Sequence, residues 1–152
     1  MTAGSAAGKI VRALRAAHLH DTSRPSLLQM ACDRLRALGA PYTSVYAYML
    51  HGTELALEAH AGRDTEHTRI PVGVGVCGTA VAAKADQNVP DVGAAGNYLA
   101  CNTFTKSELV VLIRRGDHIL GQIDVDSDVV DPFTTEEQAE VKKVADALAV
   151  LL

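Results

Sequence analysis

The run SELVVLIRRGDHILGQIDVD, Ser107 to Asp126, holds the two clearest strands of this chain. Each half is rich in β-branched and aliphatic residues, and Arg115-Gly116-Asp117 between them supplies a turn. Directly opposed residues of an antiparallel pair share a face, so a three-residue turn pairs Arg114 with His118 and Glu108 with Asp124. Asp126 then falls on that face as well. The reverse face carries Leu109, Val111 and Ile113 with Ile119, Ile123 and Val125, an apolar set suited to a core. A two-residue turn would slip the register by one and oppose the acids to apolar residues, which fits less well. The hairpin therefore predicts a sheet with one aliphatic face and one face on which Glu108, Asp124 and Asp126 gather.

The flanking sequence supplies what such a sheet packs against. Ile10, Leu14 and Ala17 recur at helical spacing from about Lys9 and end before Asp21, after a small and polar N-terminus (residues 1–8) expected to be unstructured. A second helix is expected from Ser26 to Leu38, striped by Leu28, Ala31, Leu35 and Leu38 and stopped by Gly39 and Pro41. Cys32 shares that buried stripe and reads as a small core residue. Thr43 to Leu50 and Glu54 to His60 form a first hairpin, the latter alternating Leu55, Leu57 and Ala59 with polar neighbours. A short strand is expected from His67 to Val72, a short helix from Thr79 to Ala85, and a strand or extended segment from Asn88 to Val92. Gly93 to Thr105 is irregular. Thr134 with Glu137 three residues later opens a last helix striped by Val141, Val144, Leu148 and Leu151. The order predicts an α+β domain with a largely antiparallel sheet between N- and C-terminal helices.

Composition narrows the function. With 152 residues and 48% hydrophobic content, the chain suits a single domain over residues 9–152. A net charge of -4 with mixed signs, and no tryptophan, gives no basic face for nucleic acid or an anionic membrane. No apolar run approaches the roughly eighteen residues of a membrane span, and no secretory start is visible, so a cytoplasmic protein is expected. Three cysteines in such a chain are not a disulfide scaffold.

Two of those cysteines stand in marked settings. VGVGVCGTA, Val72 to Ala80, crowds Gly73, Gly75 and Gly78 around Cys77, and Cys101 lies in the irregular segment. The loop has the Gly-x-Gly-x-x-Gly form of a dinucleotide fingerprint, but the following helix is short, Pro71 interrupts the approach and no strand-helix-strand series surrounds it. No P-loop lysine follows. His67, Cys77 and Cys101, with Asp124 or Asp126, could be drawn as a zinc site, yet no close ligand pair supports it, and neither a metal nor a cofactor is expected. Three neighbouring carboxylates raise at least one pKa unless a cation joins them. Such a set could hold an ammonium group, or give a proton to a developing oxyanion.

The segments RIPVG (69–73), GVCGTA (75–80), Asp91-Val92, LAC (99–101), SELVV (107–111) and GQIDVDS (121–127) together resemble the free methionine-R-sulfoxide reductases, single-domain proteins of the GAF fold. The resemblance implies that Cys101 is the catalytic cysteine and Cys77 a resolving one, with thioredoxin restoring the thiols. It implies that Glu108, Asp124 and Asp126 are the acids around the substrate, and that Gly75, Val76 and Tyr48 line its site. A homodimer is also implied. The chain departs from the family pattern in two places: His67 stands where the principal resolving cysteine is expected, and Ser44 lies near the position of a tryptophan that closes the cavity. The alternative is a non-catalytic GAF module for signalling, binding a small amine-bearing ligand or sensing redox state through its thiols.

Overall fold

The computed structural model describes residues 5–96, 98 and 104–152. In chain order the elements are α1 (Ala6–Leu19), α2 (Arg24–Arg36), β1 (Ser44–His51), β2 (Glu54–Ala61), β3 (Arg69–Pro71), α3 (Gly75–Ala83), β4 (Gln87–Val89), β5 (Ser107–Arg115), β6 (His118–Ser127) and α4 (Thr135–Leu151). The six strands form one antiparallel sheet in the order β3-β2-β1-β6-β5-β4. This is the expected α+β architecture. None of the described helices is long and apolar enough to cross a membrane.

Period-two alternation divides the sheet between two clusters of buried side chains. Val45, Ala47 and Met49 of β1, Leu109, Val111 and Ile113 of β5, and Ile123 and Val125 of β6 pack with Ile10 and Leu14 of α1, Leu28 and Leu35 of α2, and Val141, Val144 and Leu148 of α4. Cys32 lies in this larger core, as its place in the stripe implied. On the opposite face Tyr46, Tyr48, Val110 and Leu112 meet Val76, Cys77, Ala80 and Val81 of α3. The smaller cluster surrounds the carboxylate-bearing part of the sheet.

The hairpin β5–β6 reaches the expected face by a different register. Arg115 opposes His118 across a two-residue turn, Gly116-Asp117, and a bulge after Ile113 places Ile113 opposite Gly121 and Arg114 opposite Ile119. The extra residue, Leu120, restores the parity that the shorter turn would have lost. Glu108 therefore opposes Asp126 rather than Asp124, whose partner is Val110. Ile119, expected in the aliphatic core, lies instead in the cluster around α3. A second bulge in β2 pairs Ala47 with Ala59 and Tyr48 with Leu57, so Leu57 and Ala59 belong to opposite clusters and the expected alternation breaks at Glu58.

Two helices start earlier than their stripes suggested. Ser5 Oγ accepts from Gly8 N–H at 2.9 Å and starts α1 at Ala6, where Ala7 is buried although the N-terminal residues were expected to be unstructured. Helix α2 runs between its Ser23 cap and Arg36, which leaves Leu38, expected in the stripe, exposed. Thr134 caps α4 by accepting from Glu137 N–H at 3.2 Å. The Glu137 carboxylate accepts from Tyr42 OH, tying α4 to the entry of β1.

The largest difference is at the glycine run. It is not a loop ahead of a helix: α3 begins at Gly75, and Cys77 sits in its first turn. Gly78 N–H donates to Val74 O at 3.0 Å and Gly73 N–H to Gly78 O at 2.9 Å, folding the turn after β3 tightly onto the helix start. A Cβ on Gly78 would stand 2.5 Å from Pro71 O and 2.9 Å from Gly73 N, so this approach excludes any side chain.

Candidate functional site

The sheet brings Glu108, Asp124 and Asp126 onto one face, and α3 lays Cys77 over them. All four are buried. Cys77 Sγ donates to Glu108 Oε2 at 3.7 Å, and one ligand-capable atom of each of Cys77, Glu108 and Asp124 lies within 4.8 Å of the other two. Two carboxyl groups buried this close together favour holding a proton, because like charges out of water repel. Asp124 Oδ1 and Asp126 Oδ1 are buried without a hydrogen-bond partner among the described residues.

A cleft opens beside this group, lined by Tyr48, His67, Gly75, Val76, Cys77, Glu108 and Asp124, with Ile70 and Val74. Of the residues assigned from sequence, Tyr48, Gly75, Val76, Cys77, Glu108 and Asp124 border the cleft. Asp126 stands behind it, across the strand pair from Glu108. Cys101 lies outside the described residues. Tyr48 OH donates to His67 O at 2.8 Å, which fixes the segment before β3 against the sheet.

Burial governs the protonation of the group. It raises the Cys77 thiol well above its ordinary value, and the nearby Asp124, Glu108 and Asp126 reinforce the shift. The first turn of a helix normally favours a thiolate, but α3 has only nine residues and its start faces acids, so desolvation and like charge prevail. Desolvation also raises Asp124, against hydrogen bonds from Glu108 and Cys77, and raises Asp126 well above the usual carboxylate range despite Arg63. The Cys32 thiol is pushed up to about 12 by burial in the other core.

Raised carboxyl pKa values mean that the folded chain binds more protons than the unfolded one. Their contribution to stability is complete below the ordinary Asp value of 3.8 and is lost as pH rises through the folded-state values. Thermal unfolding is accordingly expected at a higher temperature at pH 5 than at pH 8. An Asp126→Asn chain should show a flatter profile, and an unchanged slope in that variant would contradict the assignment.

Two supporting residues were not singled out from sequence. Gln122 is fully buried and its Nε2 donates to Cys77 O at 3.0 Å, tethering α3 to β6. A signal for it existed, since Gln122, Asp124 and Asp126 occupy alternate positions of one strand and so share a face. Arg63, from the segment after β2, forms two hydrogen bonds to Asp128 at 2.7 and 2.6 Å and lies 5.0 Å over the Phe104 ring. No local spacing announces that set, because it joins three distant segments.

Residues 23–152, from the start of α2 onward, match the GAF domain family. The chain belongs to that family. Its GAF domain is 35% identical over 105 residues to the free methionine-R-sulfoxide reductase of Escherichia coli, an alignment covering 69% of this chain and 63% of that protein. The chain thus spans less than two thirds of that relative. It is also similar to the structure of a type II free methionine-R-sulfoxide reductase from Thermoplasma acidophilum, with 38% identity and a TM-score of 0.81 over 84% of this chain and 91% of that one. A free methionine-R-sulfoxide reductase from Neisseria meningitidis, solved in complex with its substrate, gives 25% identity and a TM-score of 0.86 over 99% and 92% of the two chains. The branch of the GAF family that the sequence resembles is therefore the one to which these relatives belong.

Proposed function

We propose that this GAF domain reduces free methionine-R-sulfoxide to methionine by thiol chemistry. The observation that carries the reading is the buried carboxyl cluster with a thiol at the edge of a cleft. Ionised acids of the cluster hold the substrate ammonium, and a protonated one gives its proton to the sulfoxide oxygen. The Cys101 thiolate attacks the sulfoxide sulfur. Methionine leaves, the oxygen stays on Cys101 as a sulfenic acid, and two electrons have passed from the thiol to the substrate. Cys77 then condenses with the sulfenic acid, releasing water and forming a disulfide that a dithiol protein such as thioredoxin reduces by exchange. The domain acts in the cytoplasm as a homodimer.

Cys77 as the resolving thiol is supported by its position at the cleft, and its proton has acceptors at hand in Glu108 and Asp124. Its suppressed ionisation also favours a second reading, a ligand-binding or redox-sensing module that does not turn over. Intact mass after mild oxidation, followed by peptide mapping, separates the two. The enzyme reading expects loss of two hydrogens with Cys77 and Cys101 linked. Oxidation that stops at a sulfinic acid on Cys101 would oppose it.

A further inference from the structure

We propose that Cys77, Glu108 and Asp124 form a binding site for a single zinc ion, competing with an organic ligand for the same acids. One ligand atom from each residue lies within 4.8 Å of the other two, and all three residues are buried. Zinc bonds of about 2.3 Å to sulfur and 2.1 Å to oxygen at a tetrahedral angle set the sulfur and oxygen about 3.6 Å apart. Cys77 Sγ and Glu108 Oε2 already stand 3.7 Å apart, so the first edge of the tetrahedron needs almost no rearrangement. One thiolate with two carboxylates is a donor set suited to zinc rather than to magnesium or calcium, which take oxygen ligands.

The surroundings independently point to a missing cation. Asp126, outside the three-residue set, is 3% exposed and places on the same face, opposite Glu108, an Oδ1 without a hydrogen-bond partner among the described residues. Gln122 Oε1 is also buried with no hydrogen-bond partner among the described residues, on a side chain whose Nε2 reaches the Cys77 carbonyl. The cation that acts on Asp126 is Arg63, whose guanidinium is already committed to two hydrogen bonds with Asp128. Binding exchanges the Cys77 thiol proton, together with any proton on the two carboxyl groups, for the metal, and the released protons pass to solvent. The adjacent cleft leaves room for water or an incoming ligand at the fourth position. Zinc held here would occupy the proposed ammonium site and sequester the resolving thiol, so it would inhibit turnover. The metal site itself rests on this geometry and does not require that the chain be a reductase.

The test uses the full chain, reduced and stripped with chelator, titrated with cadmium alone as a spectroscopic substitute for zinc and then with zinc in competition. The expected result is a sulfur-to-cadmium charge-transfer band that saturates at one equivalent, displaced by zinc, with a higher unfolding temperature in the metal-bound chain. Cys77→Ser should abolish the band and Cys32→Ser should leave it intact. Asp124→Asn keeps the thiol and should weaken binding about 100-fold, which preserves a decisive measurement if Cys77→Ser fails to fold. No saturation at one equivalent, a band that survives Cys77→Ser, or unchanged affinity in Asp124→Asn would overturn the site whether or not the chain reduces methionine sulfoxide.

Discussion

A Cys101→Ser chain is expected to lose reduction of free methionine-R-sulfoxide by at least about a thousandfold, because the remaining thiols cannot replace the nucleophile. Cys32 lies in the helix-covered core, away from the cleft, with its thiol pushed up to about 12. Cys77 borders the cleft but is buried among acids that hold it protonated. Neither is poised as a thiolate in the resting chain, and the thiolate is the species that attacks the sulfoxide. Cys77→Ser should give a different signature: one equivalent of methionine per chain in a rapid first turnover, then arrest, because the sulfenic acid has no partner thiol. Cys32→Ser should behave as the parent does. Rapid-quench measurement of methionine per chain separates these outcomes, and sustained turnover by Cys101→Ser would refute the assigned nucleophile.

Gly121→Ala is expected to cause the largest loss of stability among single-methyl additions to the sheet. Gly121 lies in β6 between Met49 of β1 and Ile113 of β5, at the bulge that sets the hairpin register. A Cβ there would collide with Tyr48 O, and would stand 2.6 Å from Met49 Sδ and 2.9 Å from Met49 Cα. The sulfur can move, but the two backbone atoms belong to a central strand and cannot do so without breaking the β1–β6 ladder. The cost should be ~4 kcal/mol, a fall of about 10 °C in unfolding temperature for a chain of this size. Gly96→Ala, where an added Cβ meets nothing within 4 Å, is the control and should stay within about 0.5 kcal/mol of the parent. A shift in Gly121→Ala as small as in the control would contradict the packing described here.

The same bulge shows where the sequence was readable and where it was not. Alternating side chains announced that Glu108, Asp124 and Asp126 share a face, and they do, since parity depends only on period two. Which acid opposes which depends on the turn and on an unpaired Leu120, and neither leaves a mark in local composition. The helical stripes of Ile10 with Leu14 and of Val141 with Val144 and Leu148 were legible for the same reason of period. The cap at Ser5 lay among small residues with too little apolar content to signal a helix. Gly75 and Gly78 read as a loop from their backbone freedom, whereas tertiary contact with Pro71 and Gly73 makes them the start of α3. The cleft combines Tyr48, His67, Cys77 and Asp124 from four separate parts of the chain, so only the folded sheet brings them together.

The central claim concerns one substrate and one epimer. Purified chain with a thioredoxin system should consume free methionine-R-sulfoxide, and should leave the S epimer and peptide-bound methionine sulfoxide untouched, because a buried acid cluster of this kind needs a free ammonium to hold. Equal consumption of both epimers or of the peptide-bound form, or no consumption of the free R epimer by fully reduced, metal-free chain, would contradict it.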